Sequence, residues 1–278
     1  MESNRTFGAI LKNIDLSMPI DAATFLKIQA YLFQKRVIVL NNQDLDDEDL
    51  LNFALKFGPL FDSQNSPVLG KAEVKNPIVV VGNKADEYKD AFLGYQEVLP
   101  HSDHQWTRTP SAISMLYALD IQENAAATTW TDMTQVYSKL DEELKSTIEH
   151  VKTITYNPFY RPFGSVDAKY VDRREDTPPG EYYKHPLVRT HPITGERILY
   201  MHRAYEMEFA DIQCEKGLKL WSELNTHVDR NLGGYTHNWK NGDLVIWDNR
   251  ATIHYRPVFG SDVRRVLKRI SIGGERPF

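Results

Sequence analysis

Short apolar, β-branched runs recur along this chain, and they restrict its architecture more than any other feature. Val37-Ile38-Val39-Leu40, Ile78 to Val81, Gly242 to Trp247 and Val266 to Ile272 are each of strand length, too short to be core helices and apolar enough to be buried. Ser111 to Leu119 is also extended in character, and Val188 to Met201 forms a hairpin pattern about Pro192-Ile193-Thr194-Gly195. Helical spacing appears between and around these strands. Asp21 precedes Phe25, Ile28 and Leu32, and Asp46 and Asp47 precede Leu50, Leu51 and Phe57, with Gly58-Pro59 as a stop. Two further helical patterns cover Met133 to Val151 and Gln213 to Leu232. Residues 157–184 are rich in Pro, Gly, Arg and Tyr with no clear period, and a connection of that length commonly covers a site. The expectation is an α+β chain: a β-sandwich or jelly-roll core with flanking helices.

The 278 residues suffice for one large core, so residues 1–278 are expected to form a single domain. A net charge of −5 supplies no broad basic surface, which argues against nucleic acid as a partner. Cys214 is the sole cysteine, and the N-terminus lacks the apolar run of a signal peptide; both point to the cytoplasm. No stretch reaches the ~20 apolar residues of a membrane span, so no membrane role is expected.

Chemistry enters with the histidines. Two histidines and one carboxylate on one face of a metal leave positions open for a bidentate cosubstrate and O2. The pattern His-x-Asp occurs twice, at His101-Ser102-Asp103 and at His227-Val228-Asp229. The second copy lies in a helical pattern, where residues two apart point about 200° away from each other and cannot share an ion. The first follows Pro100, which disfavours a preceding helix, and in an extended segment residues two apart face the same side. Only the 101 copy is geometrically competent.

What lifts the 101 copy is the segment Gly242-Asp243-Leu244-Val245-Ile246-Trp247-Asp248-Asn249-Arg250-Ala251-Thr252-Ile253-His254-Tyr255. Together with PHSDHQW, VLKRISIGG, Phe57-Gly58-Pro59-Leu60 and Arg189-Thr190-His191-Pro192-Ile193-Thr194-Gly195, it resembles the family of taurine dioxygenase and 2,4-dichlorophenoxyacetate dioxygenase, which are Fe(II)/2-oxoglutarate-dependent enzymes. The resemblance covers nearly the whole chain. It implies a double-stranded β-helix (jelly-roll) core, with His101, Asp103 and His254 as iron ligands. It places Arg269 on the distal carboxylate of 2-oxoglutarate, with Thr128 as a second cosubstrate contact. A guanidinium suits that task because its planar fork donates two parallel hydrogen bonds. Arg265, four residues before Arg269 and on the same strand face, is expected to orient an acidic group of the substrate, and His104 to contact the substrate or support the ligands.

The resemblance thus implies an oxygenase that uses Fe(II), 2-oxoglutarate and O2 to oxidise, chiefly hydroxylate, a small organic substrate such as a carboxylate or sulfonate, releasing succinate and CO2. Retention of Asp103 disfavours halogenation. Ser66 and Leu69 stand where the taurine enzymes have a histidine and a tyrosine, and Glu97 where an asparagine is expected, which argues against taurine itself. Two rival readings are a jelly-roll metal binder without redox turnover and a Zn2+-dependent hydrolase or isomerase. Arg269 and Thr128 oppose the first, and the ligand set alone does not exclude Zn2+. Self-association into a homo-oligomer is left open.

Overall fold

Aspartates set the starts of the helices. Asp21 accepts from the Thr24 amide at 2.6 Å and caps α1 (Ala22–Lys35), and Asp46 forms a reciprocal capping box with Asp49 at the start of α2 (Asp47–Leu55). The computed structural model describes residues 6–61, 77–88, 91–160 and 169–278. Three more α-helices follow among these residues: α3 (Met133–Ser138), α4 (Glu142–Ile148) and α5 (Cys214–Arg230). The expected single helix over Met133 to Val151 is therefore two. Asp141 takes the Leu144 amide at 2.7 Å and starts a new helix, and a cap residue in mid-pattern competes with continuation.

The strands in chain order are β1 (Ala9–Leu11), β2 (Val37–Leu40), β3 (Val79–Gly82), β4 (Phe92–Leu93), β5 (Val98–His101), β6 (Ile113–Ile121), β7 (Thr128–Asp132), β8 (Lys152–Thr155), β9 (Lys184–Pro186), β10 (Val188–Thr190), β11 (Arg197–Leu199), β12 (Met207–Ala210), β13 (Tyr235–His237), β14 (Leu244–Asp248), β15 (Thr252–Arg256) and β16 (Arg265–Ile272). A large sheet runs β1-β2-β14-β6-β16-β3-β4, and a smaller one runs β13-β7-β15-β5. The expected hairpin is present as β10 and β11, with Thr190 opposite Arg197 and Gly195 at φ 71° in its turn.

The large sheet is buried on both faces, which is why its strands read as continuous apolar runs. Ile38, Leu40, Met115, Leu244, Ile246 and Ile270 pack against α1 and α2. The alternate residues Val37, Val39, Leu116, Val245, Trp247 and Leu267 pack with Trp130 of the small sheet, whose ring lies 5.6 Å from that of Trp247. Strand periodicity puts Arg265, Leu267 and Arg269 on this inter-sheet face of β16. Lys268 faces the other way and pairs with Asp47 of α2 at 2.7 Å. A site built on these strands therefore lies between two sheets, in the interior.

Arg36, at the junction of α1 and β2, has a left-handed φ of 64° and is 1% exposed. An L-residue there costs roughly 1–2 kcal/mol. The conformation lets its amide cap α1 on Leu32 and turns its guanidinium to Asp248 (3.3 Å), Glu196 and the Phe33 carbonyl. His191 holds the same Asp248 carboxylate at 2.7 Å. The end of β14 is thus fixed by buried charges just before Asn249.

Of the expected cover over residues 157–184, the chain forms a 3-10 turn at Pro158–Tyr160, and residues 161–168 lie outside the described residues, as do Ser66 and Leu69. No helix among the described residues is long and apolar enough to cross a membrane.

Trp247 is fully buried and touches both Trp130 and His254. Replacing it with alanine should lower the unfolding free energy by about 3–5 kcal/mol in a denaturant titration, the range for a large aromatic truncated in a core. A loss under about 1 kcal/mol would mean that the two sheets do not depend on this contact.

Candidate metal and cosubstrate site

His101 ends β5 and His254 sits in β15, directly opposite it in the antiparallel register. Their rings lie 4.2 Å apart, and Asp103 follows on the loop after β5. The Nε2 atoms of His101 and His254 are 3.7 and 4.0 Å from Oδ1 of Asp103. Among the described residues this is the cluster able to hold a metal ion, its three ligand atoms all within 4.8 Å of one another, and all three residues are buried. His101 donates from Nδ1 to the Leu99 carbonyl at 2.8 Å, which leaves Nε2 free to ligate.

Charge and burial favour a cation here. Burial by itself would raise the Asp103 carboxyl, but Arg269, His254 and His101 hold it well below the ordinary carboxylate range. Burial takes the His254 imidazole down to about 3, so it is neutral, as a ligand must be. Asp103 Oδ2 accepts from Ser114 Oγ at 2.7 Å, leaving Oδ1 to face the two imidazoles.

The other His-x-Asp copy is dispersed. His227 meets the Val136 carbonyl at 2.8 Å, and Asp229 pairs with Arg203.

The cosubstrate residues are arranged differently from expectation. Thr128 is not brought to Arg269. Its Oγ1 instead accepts from Arg265 Nη2 and from Trp239 Nε1, both at 3.0 Å. Two accepted bonds fill the hydroxyl's acceptor capacity and leave its proton for an outside acceptor. Arg265 is 3% exposed; its other side-chain bond goes to the Ala126 carbonyl, and it pairs with no carboxylate among the described residues. Burial pulls it down to about 9. The salt bridge that could have occupied it belongs to Arg264, which pairs with Glu87 and Asp120. Arg269 lies beside the ligands, 3.4 Å from Asp103 Oδ1, with Phe92 under its guanidinium at 5.5 Å. The two arginines share a face but, four residues apart, are separated by about 13 Å of backbone.

His104 was expected at the substrate. Its Nδ1 lies 2.9 Å from Ser111 Oγ and its ring stacks on Phe61 at 3.9 Å, so packing occupies it. Glu97 is exposed.

Sequence reasoning missed Asn249. Its Oδ1 accepts from the Asp103 amide at 2.8 Å, while its Nδ2 donates to the carbonyls of Asp103 and Ser111. Its own carbonyl accepts from Ser102 Oγ at 2.7 Å. One side chain thereby clips the loop carrying Asp103 to the turn that leads into the strand of His254. The signal was a buried-strand segment ending in an amide, a residue that needs partners when buried. Tyr205 and Phe159 were also missed; each adjoins the ring of Trp106, next to His101.

Comparison with known proteins agrees with this geometry. The family model for taurine catabolism dioxygenase TauD, TfdA family matches residues 2–271. The chain belongs to this family. A 2,4-dichlorophenoxyacetate dioxygenase of Cupriavidus pinatubonensis, named as dependent on alpha-ketoglutarate (2-oxoglutarate), is 28% identical over 95% of this chain and 93% of its own. An alpha-ketoglutarate-dependent sulfate ester dioxygenase of Pseudomonas putida is 28% identical over 97% of this chain and 87% of its own. A crystal structure of a taurine dioxygenase from Burkholderia xenovorans superposes with a TM-score of 0.76 at 24% identity, covering 98% of this chain and 89% of that one, which speaks to the fold. As a TauD/TfdA family member the chain is thus a dioxygenase of the alpha-ketoglutarate-dependent kind.

Asn249→Ala should weaken Mn(II) binding about 10–100-fold in a calorimetric titration, because groups that orient ligands carry that much of the affinity. His227→Ala should leave it unchanged. Wild-type metal affinity in Asn249→Ala would remove the amide from the site's support.

Proposed function

We propose that this protein is an Fe(II)- and 2-oxoglutarate-dependent oxygenase that hydroxylates a small organic anion. The observation that carries the reading is the buried His101, Asp103 and His254 cluster, with an anion cradle at Arg265 and Thr128 on the same inter-sheet face. Two imidazoles and one carboxylate with open positions are the donor set of non-haem Fe(II) oxygenases, and a buried guanidinium without a carboxylate partner asks for an anionic ligand. We read the facing sheets as a double-stranded β-helix, the whole chain as one domain working in the cytoplasm, and residues 157–184 as its cover.

The chemistry that such a centre supplies, when Fe(II), 2-oxoglutarate and O2 are bound, is oxidative decarboxylation to succinate and CO2 coupled to oxidation of a C–H bond. This chain's own residues bind, orient and exclude water. Arg265 and Thr128 hold the distal carboxylate of the cosubstrate, which reverses the roles that the family resemblance suggests for the two arginines. Arg269, beside Asp103 and not beside Thr128, holds the acidic group of the substrate. Trp106, Tyr205 and Phe159 wall the space next to His101 and keep it dry. The relatives named above act on a phenoxyacetate and on sulfate esters, both anions, which supports an acidic substrate here.

The test is O2 consumption and succinate release by the Fe(II) protein with and without 2-oxoglutarate, over a panel of carboxylates, sulfonates and sulfate esters. Turnover should require 2-oxoglutarate and be stimulated by an anionic member; turnover indifferent to 2-oxoglutarate would overturn the reading. His101→Ala, Asp103→Ala and His254→Ala should each abolish it. The arginines should separate. Arg265→Gln should raise the KM for 2-oxoglutarate at least about ten-fold, the value of a charge-assisted bond, whereas Arg269→Gln should raise the KM of the organic substrate and spare 2-oxoglutarate. The opposite pattern would restore Arg269 to the cosubstrate.

A further inference from the structure

The strand beside Thr128 carries a second buried arginine. In the register of β15 with β7, Tyr255 faces Thr129 and His254 faces Trp130, so the next residue, Arg256, stands across from Thr128. The irregularity between His254 and Arg256 is in their pairing with β5, where His254 meets His101 and Arg256 meets Val98, so the one extra residue lies on β5 and β15 keeps its alternation. Arg256 therefore projects from the same face as His254, toward the interior between the sheets.

Arg256 is 4% exposed. Its guanidinium donates to the carbonyls of Gly94 (3.2 Å), Leu93 (3.4 Å) and Pro257 (3.4 Å) and lies 4.9 Å over Phe259. No carboxylate of the described residues pairs with it. Carbonyl oxygens satisfy its donors but carry no net charge. Arg265 reaches Thr128 from the opposite sheet, and the β3 to β4 ladder links the two arginines: Leu93 pairs with Gly82, and Gly82 with Val266. Arg265 thus bonds Thr128 from the large sheet, Arg256 lies on the strand beside Thr128 in the small one, and neither guanidinium pairs with a carboxylate among the described residues. Such a pair repels itself until an anion enters.

We propose that Arg256 is a second cation of the cosubstrate cradle, so that the distal carboxylate of 2-oxoglutarate is held by Arg256, Arg265 and the Thr128 hydroxyl together. This rests on the reading of Arg265 and Thr128 as the cosubstrate grip. It also makes Arg256 an element that lowers the stability of the ligand-free protein and raises the affinity of the loaded one. A strut that merely held the carbonyls of the Leu93 turn would do the reverse.

The experiment uses the full-length Mn(II)-loaded protein and N-oxalylglycine, a non-reactive isostere of 2-oxoglutarate, with calorimetric titration and thermal melting as readouts. Arg256→Met should bind N-oxalylglycine about ten-fold or more weakly than wild type. Without N-oxalylglycine it should melt at or above the wild-type temperature, and the rise in melting temperature on adding the ligand should shrink. Arg256→Lys, which keeps the charge and loses the fork, should bind within about three-fold of wild type. Unchanged affinity in Arg256→Met, a lower ligand-free melting temperature with an undiminished ligand-induced rise, or a ten-fold loss in Arg256→Lys would each overturn the proposal. Arg265→Gln separates the two levels. If it loses N-oxalylglycine while Arg256→Met keeps it, only Arg256 is misassigned; if the wild type itself does not bind N-oxalylglycine, the cosubstrate reading fails.

Discussion

The structure turns on keeping the Asp103 carboxylate ionised in the interior between two sheets. Desolvation opposes that charge, and two groups answer it directly: the Arg269 guanidinium at 3.4 Å and the hydroxyl of Ser114 at 2.7 Å. Each comes from a different strand or loop, so the charge can be satisfied only when both sheets are assembled in register. The tryptophans that pack the sheets together also position the ligands, since Trp247 and Trp130 both contact the His254 ring. Packing and chemistry are the same set of contacts here.

A second buried electrostatic cluster stabilises the first from behind. Arg36 and His191 hold Asp248 while Glu196 pairs with Arg36 in turn, and burial, which would raise the Asp248 carboxyl, is outweighed by His191 and Arg36. Asp248 immediately precedes Asn249, whose amide fixes the Asp103 main chain. Removing one partner of such a network would leave a buried charge exposed to the low dielectric, an outcome that costs several kcal/mol. The left-handed backbone at Arg36 is strain that this network offsets.

Much of this was legible in the sequence because the deciding signals are local. Strand length and β-branching marked five of the seven strands of the large sheet but not the short edge strands β1 and β4, aspartates marked the helix starts, and the two-residue spacing separated His101-x-Asp103 from His227-x-Asp229 by elementary helix and strand geometry. What was not legible depends on pairing across the fold. Arg265 and Arg269 are indistinguishable by spacing, since both face the interior, and only the cross-sheet bond to Thr128 tells which one stands at the cradle. Asn249 and Arg256 were missed for the same reason: an amide clip and an uncompensated guanidinium are recognisable only when their neighbours in space are known. The placement of His104 was not legible either, because a left-handed φ of 60° turns the chain after Asp103, an event that sequence spacing does not encode.

In the proposed reading a metal bound by His101, Asp103 and His254 shares the space between the sheets with a dicarboxylate whose far end rests on Arg265 and Thr128. A crystal structure of the protein grown with Mn(II) and N-oxalylglycine tests it most directly. The ion should lie on those three side chains, with the distal carboxylate of N-oxalylglycine within hydrogen-bond distance of Arg265 and the Thr128 hydroxyl. An ion held elsewhere, or a distal carboxylate resting on Arg269, would contradict it.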